Sequence, residues 1–484
     1  MEKQIMLHKI KRAKRPLGLL LLLLAAMLNA AAQSYDITFK LEGMDDSVLY
    51  IARHHRDQLL PMDSARHAGN GTYRFRGRKH WPRGIYALVH QDGKKVVGDF
   101  CIDGSQRFTL KANATLTPSS VSVKGCQANS RMFSYLATID DAKQQMESIR
   151  QRLKDPATKA QAESEEAELV ERMQTFEQGT LYGNSPTLFF RIVTACREDE
   201  VPDSVQNKAY HYRAHFWDHL FDTDWSDIHD AMLHSPNLYS KLNYFFFGML
   251  FRADSDTICR EIDRLAARIG DDTALLRYVF DHLEPRYFRS TKNIGWDAVW
   301  CHMASEYYLK GRCPWATEGT LHNMRYNLNR LRQSLIGAHG QELWMADTNQ
   351  SPDPKDWISS HRFPTRYVIL WFWDPDCHHC QEQSAELATL VDSLRTAPDR
   401  RFTVYAVGYE SDVDKWKKYL REHHMPFVNV GGTNVNIDYQ EAYNVHGAPT
   451  MIILNERRDI IMNKTLPVKS ILPFLDNYER KIKK

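Results

Sequence analysis

The chain has almost no surplus of charge, no long apolar run after residue 28 and no second Cys-x-x-Cys pair. Each absence excludes something. Lys plus Arg number 63 against 60 Asp plus Glu, a net charge of +3 over 484 residues. That balance offers no electrostatic footprint for nucleic acid. Mean hydropathy is −0.52. No later stretch approaches the roughly 20 apolar residues that a spanning helix needs. Only 8 cysteines occur, and one pair alone, Cys377 and Cys380, has the x-x spacing. A structural zinc site wants four ligands, often from two such pairs.

The N-terminal stretch is apolar but short. Lys3, Lys9, Lys11, Arg12, Lys14 and Arg15 face a single acid, Glu2, and "LGLLLLLLAAML" and "NAAAQS" follow. A basic start, a brief apolar segment and small residues at a cleavage point describe a signal peptide over residues 1–32. Cleavage after Ala32 would leave Gln33 first and deliver the protein to the periplasm or cell envelope. An uncleaved anchor is the alternative, and only then is a membrane a partner. No cysteine directly follows the apolar run, so no lipid attachment site is offered. Outside the cytosol thiols can oxidise, which makes a lone Cys-x-x-Cys a candidate for disulfide chemistry.

The length suggests about three domains. Residues 33–125 read as strands: "DSVLYIA", "GTYRFRGR", "GIYALVHQ", "KVVGDFCID" and "RFTLKA" are short, rich in β-branched and aromatic residues, and separated by turn formers. Tyr73 and Phe75 alternate with Arg74 and Arg76, as in a strand with one buried face. An antiparallel β-sandwich is expected. Residues 126–337 turn charged and helical. Leu321, Met324, Leu328, Leu331 and Leu335 form one apolar stripe, and "NYFFFGMLF" reads as helical core. Residues 338–484 alternate strand and helix, the pattern of an α/β sheet. Pro352, Pro354 and Pro364 mark an irregular entry, and "NERRD" the turn of a closing hairpin. The expected fold class is therefore multidomain: sandwich, all-α middle, α/β end.

"WFWDPDCHHC" lies where a buried strand ends and a helix begins. Unpaired main-chain N–H groups and the positive end of the helix dipole gather there. Both favour a thiolate at Cys377. Cys380, one turn deeper, faces the same side and is shielded. Cys377 is thus suited to attack a disulfide and Cys380 to resolve the mixed disulfide.

Three ordered motifs, "FWDPDCHHC", "VGYES" at 407–411 and "YNVHGAPTMIILN" at 443–455, resemble the TlpA/ResA-like thioredoxin-fold proteins of the bacterial envelope. The resemblance implies a thiol-disulfide oxidoreductase with no cofactor beyond a redox-active Cys377–Cys380 disulfide. It implies a cis-proline at Pro449 facing the cysteines, with the Ala448 backbone free to pair with a substrate chain. Glu410 matches an active-site glutamate of the ResA-like branch. His379 stands where related oxidases carry a histidine that favours the thiolate and makes the pair more oxidising; His378 reads as a solvent-facing residue. Partners would be thiols and disulfides of envelope proteins and an unidentified electron donor. "LYGNSPTLFFRIVTACREDEVP" and "EYYLKGRCPW" resemble segments that precede such domains, and imply architecture only. Three departures stand out. Trp371 occupies the place of a buried acid, and Gln383 and Ala385 replace a glutamate and a proline, so the helix should lack a proline kink.

Other chemistries remain open from the residues alone. His378, His379 and His446 could crowd a zinc ion at the pair. Thiolates with imidazole also suit copper, and His446 is three residues before Pro449. A scaffold that only docks partners is a third reading. Cys101, Cys126, Cys196, Cys259, Cys301 and Cys313 permit further disulfides or buried thiols, with Cys101–Cys126 the first pairing to try. The paired histidines at 54–55 and 423–424 read as surface residues.

Overall fold

The computed structural model describes residues 34–484 apart from 182, 184–185, 199–200, 202–203, 213–215, 218–219, 222–223, 290–292, 396–400, 410–411 and 483–484. The expected signal peptide, its cleavage point and Glu410 lie outside the described residues. Among the described residues no helix is long and apolar enough to cross a membrane. The chain divides into two compact units, Met1–Phe251 and Arg252–Lys484.

The first unit is built on a β-sandwich. Strands β1 (Tyr35–Glu42), β4 (Thr72–Gly77), β7 (Arg107–Asn113) and β8 (Ser122–Lys124) form one sheet in the order β4-β1-β7-β8. Strands β2 (Val48–His55), β3 (Gln58–Arg66), β5 (Gly84–Val89) and β6 (Val96–Ile102) form the other, ordered β3-β2-β5-β6. Alternate residues of both sheets meet in one core that includes Phe39, Ile51, Phe75, Phe100 and Leu110. The pairing is antiparallel except between β1 and β7, which run parallel. Strand β3 escapes a propensity reading because Pro61 interrupts it. Proline is tolerated there since β3 is an outer strand and its register slips by a bulge. His54 is buried, its Nε2 at 2.9 Å from Asp99 Oδ1, which corrects its reading as a surface residue. His424 is exposed and bonds Asp392 at 2.7 Å.

Helices α1 (Gln127–Arg152), α2 (Lys159–Leu181), α3 (Leu188–Ala195) and α4 (Pro236–Tyr244) follow in this unit. The aromatic stretch continues α4 into a π-helical turn with Phe245 and Phe246 fully buried. All eight cysteines are free thiols. Cys101 and Cys126 are nonetheless neighbours. The Asn129 amide binds the Cys101 main chain through both of its ends, at 2.7 and 2.8 Å, and approaches Cys126 Sγ at 3.4 Å.

The second unit starts with helices α5 (Ser255–Ile269), α6 (Thr273–Arg289), α7 (Trp296–Met303) and α8 (Glu318–Leu331). Met324 and Leu328 of the expected stripe are buried, and Leu321, Leu331 and Leu335 are half-buried. The sheet that follows is ordered β13-β12-β11-β14-β15, from β11 (Tyr367–Trp373), β12 (Phe402–Gly408), β13 (Val428–Gly431), β14 (Thr450–Leu454) and β15 (Ile460–Met462). Strands β11, β12 and β13 are parallel, and β14 and β15 complete the sheet antiparallel. Helices α9 (His378–Ser393), α10 (Val413–Glu422), α11 (Tyr439–Tyr443) and α12 (Ile471–Ile482) join and cover it.

Every residue of β11 and β12 is buried, as expected for strands covered on both faces. Ile369, Trp371 and Trp373 point to a core shared with Leu387 of α9 and Leu475 of α12. Val368, Leu370 and Phe372 point to the opposite core, with Ala442 and Tyr443 of α11. The proline-rich entry is fixed by Arg458, which donates to His361 O at 3.1 Å and Phe363 O at 2.7 Å. A short antiparallel pair, β9 (Trp344–Met345) with β10 (Ile358–Ser359), also lies in that entry.

Candidate active site

The site begins where β11 ends. Asp374, Pro375 and Asp376 turn the chain: Asp374 Oδ1 accepts the Asp376 N–H at 2.8 Å, and Asp374 O accepts the Cys377 N–H at 3.2 Å. Cys377 is then the N-cap of α9, and its sulfur accepts the Cys380 N–H at 3.2 Å. A sulfur so placed satisfies one of the donors left free at a helix start. Asp376 is steadied from outside by Lys415 at 2.8 Å. The helix continues unbroken through Ala385 to Ser393.

The two thiols differ sharply in setting. Cys377 is partly exposed, whereas Cys380 is 0% exposed within the core between sheet and helix. Burial, then the hydrogen bond with Cys377, pushes the Cys380 thiol up to about 12, against a main-chain hydrogen bond from Asp374. Below it, Trp371 Nε1 donates to Ser384 Oγ at 2.9 Å, both side chains fully buried. Indole is a donor only and takes no proton. Ser384 and the main chain of Asp374 are parts of this site that sequence reading missed; neither residue type is unusual at its position.

The partner loop is brought to the cysteines from the start of β14. The Ala448–Pro449 peptide is cis. Ala448 O stands 3.8 Å from Cys377 Sγ, within reach of its S–H. Thr465 Oγ1 braces the loop from behind, donating to Pro449 O at 3.1 Å and accepting the Met451 N–H at 3.1 Å. Cys377, Cys380, Ala448 and Pro449 thus converge. Glu410 is outside the described residues. Tyr409, just before it, donates its N–H to Trp373 O at 2.8 Å, so the chain leading to Glu410 is tied to the end of β11. The following helix α10 is capped by Asp412, whose Oδ1 accepts from Asp414 N at 2.9 Å.

The histidines near the pair have polar partners of their own. His379 is exposed, its ring 3.2 Å from Gln383 Nε2 and 3.5 Å from Glu382 Oε2. His378 is exposed and 3.2 Å from Glu382 Oε1. His446 has both ring nitrogens engaged, by Asn444 at 2.8 Å and Arg330 at 3.3 Å. Burial and the Arg330 charge lower its pKa. Among the described residues no group of three or more His, Cys, Asp or Glu side chains is arranged to hold a metal ion.

Residues 365–460 match the family model described as thioredoxin-like. No curated protein matches the chain. Solved structures that resemble it include a domain of a possible thiol-disulfide isomerase from Cytophaga hutchinsonii, at 25% identity over 31% of this chain and 96% of that one, TM-score 0.27. A thioredoxin-like protein from Bacteroides caccae is 16% identical over 58% of this chain and 98% of that one, TM-score 0.44. The thioredoxin domain of a thiol-disulfide oxidoreductase from Bacteroides vulgatus is 19% identical over 30% and 96%, TM-score 0.24. The thioredoxin-like match supports a redox function for this segment. Residues 365–460 are thus a thioredoxin-like domain.

Proposed function

We propose that the protein is an exported thiol-disulfide oxidoreductase of the cell envelope that uses Cys377 and Cys380 to reduce, form or exchange disulfides in envelope proteins. The observation that carries this reading is the seat of Cys377. Its sulfur caps α9, accepts the Cys380 N–H at 3.2 Å and faces Ala448 O at 3.8 Å beside a cis proline.

In the reducing direction the Cys377 thiolate attacks one sulfur of a substrate disulfide and expels the other as a thiolate. A mixed disulfide results. Cys380, as thiolate, then attacks Cys377 Sγ and releases the second substrate thiolate. The substrate gains two electrons and the enzyme is left as the Cys377–Cys380 disulfide, which an external dithiol must reduce. The oxidising direction is the same sequence reversed. Ala448 and Pro449 are read as the edge against which the substrate chain lies, and Glu410 as the base for Cys380. His379, held near Glu382, is read as biasing the thiolate by its charge. Export rests on the basic and apolar character of residues 1–32.

Insulin reduction driven by dithiothreitol tests the activity. The full mature chain should speed precipitation of the insulin B chain well above dithiothreitol alone. Turnover equal to the reagent blank would remove the oxidoreductase reading.

A further inference from the structure

A groove of about 700 Å³ opens beside the cysteine pair. That size lies within the roughly 300–1,000 Å³ usual for ligand sites. Its lining includes His379 and Pro449 and, as a nearly buried floor, Asp297 and Lys464. Asp297 comes from the first turn of α7, in the helical half of the same unit, and Lys464 from the residues after β15. Their charges are 3.5 Å apart, and the side chains are only 8% and 18% exposed.

The pair is closely held on the acidic side. Asp297 Oδ1 accepts the Ala298 N–H at 3.0 Å, and Oδ2 accepts from Asn463 Nδ2 at 2.6 Å. Asn463 Nδ2 also donates to Ser334 O at 2.9 Å, which fixes the orientation of the amide. The floor is therefore one carboxylate and one ammonium that cancel each other in a poorly hydrated place. A substrate side chain of either charge laid over it meets a like charge and competes with a partner already in position. Uncharged side chains meet neither penalty. Placing unpaired or like charges against the wrong ligand is a common way to build selectivity.

We propose that Asp297 and Lys464 are specificity-determining residues: together they form a charge-neutral floor that favours extended polypeptide segments with an uncharged residue near the target cysteine. This rests on the oxidoreductase reading above, in that the segment binding here is the substrate of the cysteine pair. It also gives the helical residues of this unit a part in choosing substrates.

The test separates binding from sulfur chemistry. Three short peptides carry serine in place of the target cysteine and differ only in Gln, Glu or Lys beside it. Their Kd values are measured on the full mature chain by titration calorimetry. The parent should bind the Gln peptide at least about fivefold more tightly than either charged peptide, and the Glu and Lys peptides with Kd values within about threefold of each other. Asp297→Asn frees the ammonium and should shift the ratio about tenfold toward the Glu peptide; Lys464→Met should shift it about tenfold toward the Lys peptide. The double variant should return to the parent ratio. Lys464→Met carries the test alone if Asp297→Asn does not fold. Unchanged Glu-to-Lys ratios in folded variants, shifts of the same sign, a strong preference for one charge in the parent, or a Gln peptide bound no better than the charged two would each overturn the proposal. Because the peptides hold no sulfur, binding with the expected ratios but without insulin turnover would sink the activity and leave the floor standing.

Discussion

Cys377→Ser loses turnover by on the order of a thousandfold or more, down to the rate of dithiothreitol alone, while its melting midpoint stays close to the parent's. The chemical half follows from nucleophilicity. A serine hydroxyl is not ionised at neutral pH and forms no disulfide, so the first bond of the cycle cannot be made. Losses of this size are usual when an attacking group is removed. The structural half follows from the cap. Cys377 Sγ accepts the Cys380 N–H, and serine is among the preferred N-cap residues. Its hydroxyl can take over that bond, so α9 keeps its start. Insulin turnover and thermal melting of one variant therefore separate chemistry from folding. A Cys377→Ser protein that still turns over would place the attack on another sulfur.

Glu410→Gln slows resolution of the mixed disulfide by about a hundredfold near neutral pH, the lower end of what a positioned base contributes. The need for a base arises from burial. Cys380 is fully enclosed and its thiol is pushed up to about 12, so little thiolate exists unaided at pH 7. Trp371 beneath it gives its indole proton to Ser384 and, being a donor only, can take none from Cys380. Glu410 follows Tyr409, whose N–H is bonded to the last residue of β11. Below the pKa of a thiol, its thiolate fraction rises about tenfold with each pH unit. The Gln variant should follow that slope from pH 5 to 9, while the parent, with a carboxylate to receive the proton, should vary less. Stability should hardly change, because the first amides of α10 are capped by Asp412. Stopped-flow rates across this range decide: superimposable profiles exclude Glu410 as the base.

The parts of the fold legible in the sequence were those with strong local patterns. "RYVILWFWD" announced a strand buried on both faces, and β11 is that strand. The Leu and Met spacing after Thr320 announced a helix, and α8 carries it from Leu321 to Leu331, with Leu335 already extended beyond the helix end. Weaker signals failed for identifiable reasons. β13 is short, outermost and half polar, so neither run length nor alternation marks it. β3 holds Pro61, which argues against a strand until its outer position is known. The parallel pairing of β1 with β7 joins segments far apart in sequence, and no local pattern encodes it. At the site, the Cys-x-x-Cys spacing located both thiols, and the family resemblance of "YNVHGAPTMIILN" located the cis proline. The bond between Trp371 and Ser384 was not legible, because it depends on which face of α9 meets β11. The floor of the groove was hidden for the same kind of reason: Asp297 and Lys464 meet only once the helices and the sheet have packed.

The measurement closest to the central claim is identification of what Cys377 holds. Cys380→Ser removes the resolving sulfur and leaves the attacking one, so mixed disulfides should accumulate when the variant is expressed in the envelope of its own host. Non-reducing purification followed by mass spectrometry should find substrate cysteines bonded to Cys377, and reduction should release them. Absence of any adduct, or adducts seated on a cysteine other than Cys377, would contradict the account.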